Sequence, residues 1–293
     1  MISFVILHYM AIEETKKCVD SILHNIKGDK QIIIIDNDSP NNSYEELNKE
    51  YGTSSEVVVL KAEENLGFAK GNNLGYQYSV EHYNSDFIVV MNNDMEIFQE
   101  DFIEKIYSSY NEYGYYILGP DVYSTKKKYH QNPQTKKMPT KSDLEKSYRK
   151  LLIKDKLKFL FPIKWWIKEK CFKDNSEIKA IVDRSAETYV DKVVMNPLLH
   201  GSCYIFSKKF IEKYPEKCFY DKTFMYMEAE ILYYLAKKNN ELIIYYPDLK
   251  VDHHEDVATD LTFSKQYRKS IFSVECLLQS TSAFLNLIKQ DTE

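Results

Sequence analysis

Two short runs, IIIIDND ending at Asp38 and VVMNND ending at Asp94, set carboxylates directly against apolar β-type sequence. Ordinary turns seldom do this, whereas ligand sites at strand ends need it. Asp94 is the best-placed hard oxygen ligand for a divalent cation, with Asn92 two residues away on the same side of an extended chain. A cation there can bridge two phosphate oxygens. One carboxylate suffices if the phosphates and a second protein group complete the shell. His253 or His254, expected in a turn with Glu255 and Asp256, can supply that group, and imidazole suits Mn²⁺ better than Mg²⁺. A histidine in such a turn is more often a structural hydrogen-bonder than a metal ligand. Neither GxxxxGK[ST] nor GxGxxG occurs, so no glycine cradle holds the phosphates. His8-Tyr9-Met10-Ala11 also lacks the Gly- and Lys-rich loop of a nucleotidyltransferase.

These groups need a scaffold, and the first hundred residues describe one. Ile2–Leu7, Gln31–Asp36, Val57–Lys61 and Phe87–Met91 are apolar runs of strand length. Between them lie helical patterns over Glu13–Lys27, Ser43–Tyr51 and Ala69–Tyr83, the second with Ser43 and Glu46 at capping-box spacing. Such alternation implies an α/β fold: a mostly parallel sheet with helices on both faces. Its ligand edge would then carry His8-Tyr9, Asp36-Asn37-Asp38, Glu64-Asn65 and Asn92-Asn93-Asp94. Further on, Tyr189–Met195, Cys203–Phe206 and Leu242–Tyr246 read as strands, and Tyr226–Lys238 and Ser264–Ile288 as helices. The last of these can pair between subunits or fold back on its own domain.

With 293 residues, 44% hydrophobic and 28% charged, the chain has material for a sizeable core and is not a disordered one. Five scattered cysteines, without a CxxC pair, argue against a disulfide framework or zinc site and for a reducing compartment. The apolar start, Met1–His8, reads as a first strand, not a signal peptide. No uninterrupted apolar run reaches the ~18 residues of a membrane span. The net charge of −5 speaks against a nucleic-acid-coating protein. That charge is unevenly spread. Ser124 to Arg184 holds 18 Lys or Arg against 7 Asp or Glu, an excess of +11 on an otherwise acidic body. Within it, residues 158–168 interleave lysines with Phe159, Leu160, Phe161, Trp165 and Trp166, a pattern that suits an anionic membrane surface. A solvated helical hairpin packing its tryptophans on the core is the alternative.

Seven fragments in order, VILHY, IIIIDNDSP, NLGFAKGNNLG, VVMNNDMEI, LHGSCYIFS, FMYMEAEIL and VDHHEDVAT, resemble the family 2 glycosyltransferases of the GT-A fold. They are particularly similar to the branch building bacterial capsule, O-antigen and rhamnose-type cell-wall polysaccharides. The resemblance implies a nucleotide-sugar half over 1–120, the basic insertion over 121–188, an acceptor and catalytic half over 189–260, and a C-terminal helix over 261–293. It implies that His8, Tyr9, Asp36, Asn37 and Asp38 contact the nucleoside, and that Asn65, Gly67, Phe68, Gly71 and Asn72 lie along nucleotide and sugar. Asn92, Asn93 and Asp94 occupy the DXD position, with Asp94 and His253 as ligands of Mn²⁺ or Mg²⁺. Gly201, Ser202 and Cys203 would flank the acceptor.

The implied activity is inverting transfer from a UDP- or dTDP-sugar to a lipid-linked oligosaccharide. Placement at the cytoplasmic face of the plasma membrane is the expectation from the Trp165-Trp166 segment and the +11 stretch. A general base must take the acceptor hydroxyl's proton. In the family this is the second acid of a pair opening a helix, but here the pair reads Glu228-Ala229, followed by Glu230. Alanine accepts no proton. Glu228 or Glu230 takes over, projecting ~200° apart on a helix, with Glu228 in the pair itself and Glu230 expected as a solvated carboxylate. Otherwise the chain is a catalytically silent nucleotide-sugar-binding protein.

Overall fold

The computed structural model describes residues 1–171 (side chains to 166), 189–255 and 265–291. Asp256 and all of residues 172–188 lie outside the described residues, as do the side chains of Ile167 and Lys168.

Four strands form the parallel half of the sheet: β1 (Ile2–His8), β2 (Lys30–Asp36), β3 (Val57–Lys61) and β4 (Phe87–Asn92), ordered β3-β2-β1-β4. Every residue of β2 is buried, as four consecutive isoleucines require of a strand covered on both faces. The order continues through β9 (Cys203–Ser207), β6 (Ile117–Ser124), β10 (Ile243–His253) and β5 (Met95–Glu96). β9 runs antiparallel to both neighbours, so the whole sheet is mixed. Short β7 (Tyr129–His130) and β8 (Val194–Met195) pair with β6 and β10. Strand structure within Tyr189–Met195 is thus confined to its last two residues.

One face is covered by α1 (Ile12–Asn25), α2 (Ser43–Tyr51) and α4 (Phe102–Tyr113), whose Cys18, Val19, Ile22, Leu47, Phe102 and Ile106 share a core with Phe4, Ile32 and Ile34. The other face is covered by α3 (Gly67–His82), α7 (Lys208–Lys213) and α8 (Glu228–Lys238) through Ala69, Tyr76, Phe210, Leu232 and Ala236. The capping box expected at α2 does not form. Asn42 occupies the N-cap in a left-handed conformation, and Ser43 Oγ donates instead to Asp36 Oδ2 at 3.2 Å and Asn41 Oδ1 at 2.6 Å. Competition from the strand-end carboxylate explains the difference.

The segment set apart in sequence as 121–188 starts inside β6, and its helices α5 (Lys141–Lys156) and α6 (Phe161–Cys171) follow a loop that returns through β7 to pair with the end of β6. Thr140 and Asp143 cap α5 reciprocally. The terminal helix α9 (Gln266–Gln290) folds back on its own domain. Its Phe284 and Leu285 form a small third core with Leu144 of α5 and Ile231 of α8. By length and composition α9 is apolar enough to cross a membrane, which the uninterrupted-run criterion missed because polar residues punctuate it.

Candidate active site

The carboxyl ends of β1, β2 and β4 and the start of α8 enclose one cavity of about 750 Å³. Of the residues expected at the site, it is lined by Tyr9, Asn37, Asn65, Gly67, Phe68, Asn92, Asn93, Asp94, Gly201, Ser202, Glu228, Glu230 and His253. Six others do not line it. His8 and Asp36 are wholly buried beneath the strand ends, Cys203 is buried within β9, and Asp38 is exposed. A Cβ on Gly71 would meet Leu7 at 2.6 Å, and Asn72 turns its amide to the Phe68 carbonyl.

The buried pair has a bracing role. Thr15 Oγ1 donates to the Ala11 carbonyl and accepts from Asn93 Nδ2, so His8 Nδ1, 2.6 Å away, is the donor toward it. Burial pushes the His8 imidazole down to about 4 against the pull of Asp36, so it is neutral at pH 7. Asp36 accepts from the Ser39 amide at 2.9 Å and from Ser43, which holds the β2–α2 turn.

One wall begins at α3. Asn37 Oδ1 accepts from the Leu66 amide, while Asn65 Oδ1 accepts from Asn37 Nδ2 and the Gly67 amide. Gly67 has φ +73°, and a Cβ there would lie 2.3 Å from the Phe224 carbonyl oxygen. Only glycine permits this approach. The Phe68 amide donates to that carbonyl at 2.6 Å, tying α3 to the loop before α8. In that loop Tyr226 and Met227 are both left-handed, with φ of 74° and 71°. Two successive non-glycine residues there store strain, and they deliver Glu228 as the first residue of its helix.

Glu228 and Glu230 both line the cavity, contrary to the expectation that they face apart. The cavity wraps the first turn of α8, so a 200° separation does not separate them. Nor is Glu230 a solvated carboxylate: it is buried and ion-paired with Lys136 Nζ at 2.6 Å. Glu228 differs. Its Oε1 is buried without a hydrogen-bond partner, and burial pushes the carboxyl up to about 7 despite opposing bonds from the backbone and Thr223. Ala229 lines the cavity beside it.

The opposite wall joins β4 to β10. His253 was expected in a turn but ends β10, where it pairs with Met95 in the antiparallel β5–β10 ladder and with Ser124 of β6. A register shift between Tyr246 and Lys250, at Pro247, lets β10 run this far. His253 Nε2 consequently sits 3.3 Å from Asp94 Oδ1. That Asp94 oxygen is buried and has no hydrogen-bond partner. His254 turns away, bonding Thr125 at 3.0 Å and Glu96 at 3.1 Å. Of the two histidines only His253 faces the cavity.

Among the described residues no three His, Cys, Asp or Glu side chains gather into a cation cage. Asp94 and His253 nevertheless fit a hard or borderline cation as a two-ligand fragment whose remaining positions fall to a phosphate-bearing ligand. An orphaned buried carboxylate oxygen facing an imidazole nitrogen is what such a fragment requires.

Sequence reasoning missed several lining residues: Lys127, Gln131 and Lys136 from the loop after β6, His200, and Phe272 and Leu277 of α9. His200 Nδ1 lies 2.8 Å from Ser202 Oγ, and burial beside His253 pushes its imidazole down to about 4. None of these lies at the end of one of the four apolar strand runs of the first hundred residues, the signal that marked the other strand-end residues.

The model of the family described as "Glycosyl transferase family 2" matches residues 3–175. The Haloferax volcanii protein named low-salt glycan biosynthesis hexosyltransferase Agl10 is 27% identical over 121 residues, which are 41% of this chain and 36% of that relative. The crystal structure of S. aureus TarS 1–349 superposes with a TM-score of 0.53 at 10% identity, covering 86% of this chain and 60% of that one. Its UDP-GlcNAc complex gives 0.52 at 12% identity, covering 96% and 66%. The structural likeness is one of fold. The chain spans about a third of the first relative's length and about three fifths of the TarS chain's.

Proposed function

The chain belongs to glycosyl transferase family 2, and from that premise we propose that it is an inverting, cation-dependent hexosyltransferase. Its donor would be a UDP- or dTDP-sugar and its acceptor a lipid-linked oligosaccharide of a surface polysaccharide. The observation that carries this reading is one cavity holding the Asp94–His253 pair on one wall and Glu228, with its unpartnered Oε1, on another. The donor class is supported by a relative named as a hexosyltransferase and by TarS structures in complex with UDP and UDP-GlcNAc.

Displacing a nucleoside diphosphate from an anomeric carbon leaves negative charge on the leaving group. Mn²⁺ or Mg²⁺, held by Asp94 Oδ1 and His253 Nε2, would neutralise that charge when bound. Asn37, Asn65 and Gly67 offer a polar, closely packed edge for nucleotide and sugar. Glu228 takes the acceptor hydroxyl's proton. Its carboxyl, raised to about 7, is matched to a base working near neutrality. Glu230 stays neutralised by Lys136 and helps hold the floor of the acceptor side. In-line attack opposite the leaving group inverts the anomeric centre.

A nucleotide-sugar-binding protein without turnover is the second reading, favoured by Ala229 lining the cavity where the family places its base. Incubation with UDP-glucose, UDP-galactose and dTDP-rhamnose plus Mn²⁺ and acceptor, reading nucleoside diphosphate release, separates the two. The wild-type chain is expected to turn over, and Ala229→Glu to be slower, because it adds like charge beside Glu228. Turnover found only in Ala229→Glu would mean that the natural chain is disabled.

The acceptor assignment draws on α5, α6 and the turn between them. Six of the nine large apolar side chains left exposed among the described residues fall here: Ile153, Leu157, Phe159, Leu160, Ile163 and Trp166. Lys150, Lys154, Lys156 and Lys164 are interleaved with them. Rings at headgroup depth and ammonium groups on anionic phosphates would hold the enzyme on the inner face of the plasma membrane. The intact protein is expected to float with anionic liposomes at low salt and to release at high salt. Replacing Phe159 and Trp166 by serine should cost about 1.5–3 kcal/mol for each ring inserted. Failure of the wild type to float removes the membrane placement.

A further inference from the structure

The lone pair that His253 turns to Asp94 is set by groups outside the pair. Gln131 Nε2 lies 2.9 Å from Glu255 Oε1, and Gln131 Oε1 lies 2.7 Å from His253 Nδ1. A carboxylate only accepts hydrogen bonds, so the Gln131 NH₂ must be the end facing Glu255. The amide oxygen is then the end facing His253, and it too can only accept. His253 Nδ1 therefore carries the proton, and in the neutral ring Nε2 keeps a bare lone pair. In that neutral form, the lone pair and the unpartnered Asp94 oxygen are two acceptors facing each other at 3.3 Å.

The chain spends structure on this arrangement. Gln131 is buried, and its backbone amide is fixed on the Val122 carbonyl at 2.8 Å. Glu255 is buried in a left-handed conformation with φ +57° and is ion-paired with Lys127. Left-handed backbone at a non-glycine residue persists only where surrounding contacts enforce it.

We propose that Glu255 and Gln131 form a positioning relay that locks His253 in its Nδ1–H tautomer and so presents Nε2, together with Asp94, to a divalent cation. The relay rests on the assignment of Asp94 and His253 as cation ligands, but the tautomer itself does not. Partners that fix the far nitrogen of a ligating histidine commonly change metal affinity 10–100-fold when lost.

Two measurements on the full chain keep the claims apart. Long-range ¹⁵N–¹H NMR of histidine-labelled protein without metal reads the tautomer. Calorimetric titration with Mn²⁺ in the presence of UDP reads the affinity. Wild type is expected to show His253 as Nδ1–H. Gln131→Leu should lose that single tautomer and bind Mn²⁺ about 10–100-fold more weakly. The exchanged double variant Gln131→Glu with Glu255→Gln keeps an acceptor facing Nδ1 and a donor facing that acceptor. It should restore both tautomer and affinity, which a fold-damaging substitution would not do. A wild-type His253 protonated on Nε2, or Gln131→Leu with an unchanged tautomer, overturns the relay. If the tautomer behaves as expected but Asp94→Ala binds Mn²⁺ like wild type, the relay stands and the cation assignment falls.

Discussion

Asp94→Ala is expected to abolish the contribution of Mn²⁺ to UDP binding and to lower kcat/KM by about a thousandfold, equivalent to about 4 kcal/mol of lost transition-state stabilisation. The expectation follows from position. Asp94 lies in the turn between β4 and β5, and its Oδ1 is buried, unpartnered and 3.3 Å from His253 Nε2. A buried carboxylate oxygen without a partner is a cost to the fold unless it has a ligand. The variant should therefore keep or slightly raise the melting temperature while losing function. Calorimetry of UDP binding with and without Mn²⁺, alongside thermal unfolding, checks both halves. Undiminished Mn²⁺-assisted affinity in Asp94→Ala would show that the diphosphate is bound elsewhere.

Glu228→Gln is expected to cut turnover by about 10²–10⁴-fold, the usual share of a general base, while leaving UDP affinity near wild type. The pH dependence has a definite sign. A base works when ionised, so wild-type kcat should fall as pH drops below about 7, the value to which burial raises this carboxyl. Stability moves the other way. The carboxyl is more readily protonated in the fold than in the unfolded chain, so its favourable contribution is full below the ordinary value of 4.5. That contribution is lost as pH rises through about 7. Glu228→Gln should then match wild type in stability at pH 4 and exceed it at pH 8, by as much as about 3 kcal/mol. Steady-state kinetics and denaturant unfolding across pH 4–9 supply both curves. If Glu230→Gln instead abolishes turnover and Glu228→Gln does not, the base has been assigned to the wrong carboxylate.

Much of this molecule is written locally. The consecutive isoleucines of β2 can satisfy their burial only in a strand covered on both faces, so the strand–helix alternation determined an α/β sheet and the edge on which ligands sit. The polar residues following those strands identified Asn37, Asn65 and Asp94, because each is fixed by the few residues before it. Tertiary structure decided what lies across from them. Whether His253 or His254 meets Asp94 depends on the register of β10 against β5, elements distant in sequence, and one residue's slip would exchange the two side chains. Gln131 reaches His253 only because β6 lies beside β10 in the sheet. The distinct states of Glu228 and Glu230 depend on which one Lys136 can reach and which one is buried with an oxygen left unpartnered. Backbone periodicity is set by nearest neighbours, whereas a side chain's partner and its proton are set by whatever the folded chain brings alongside.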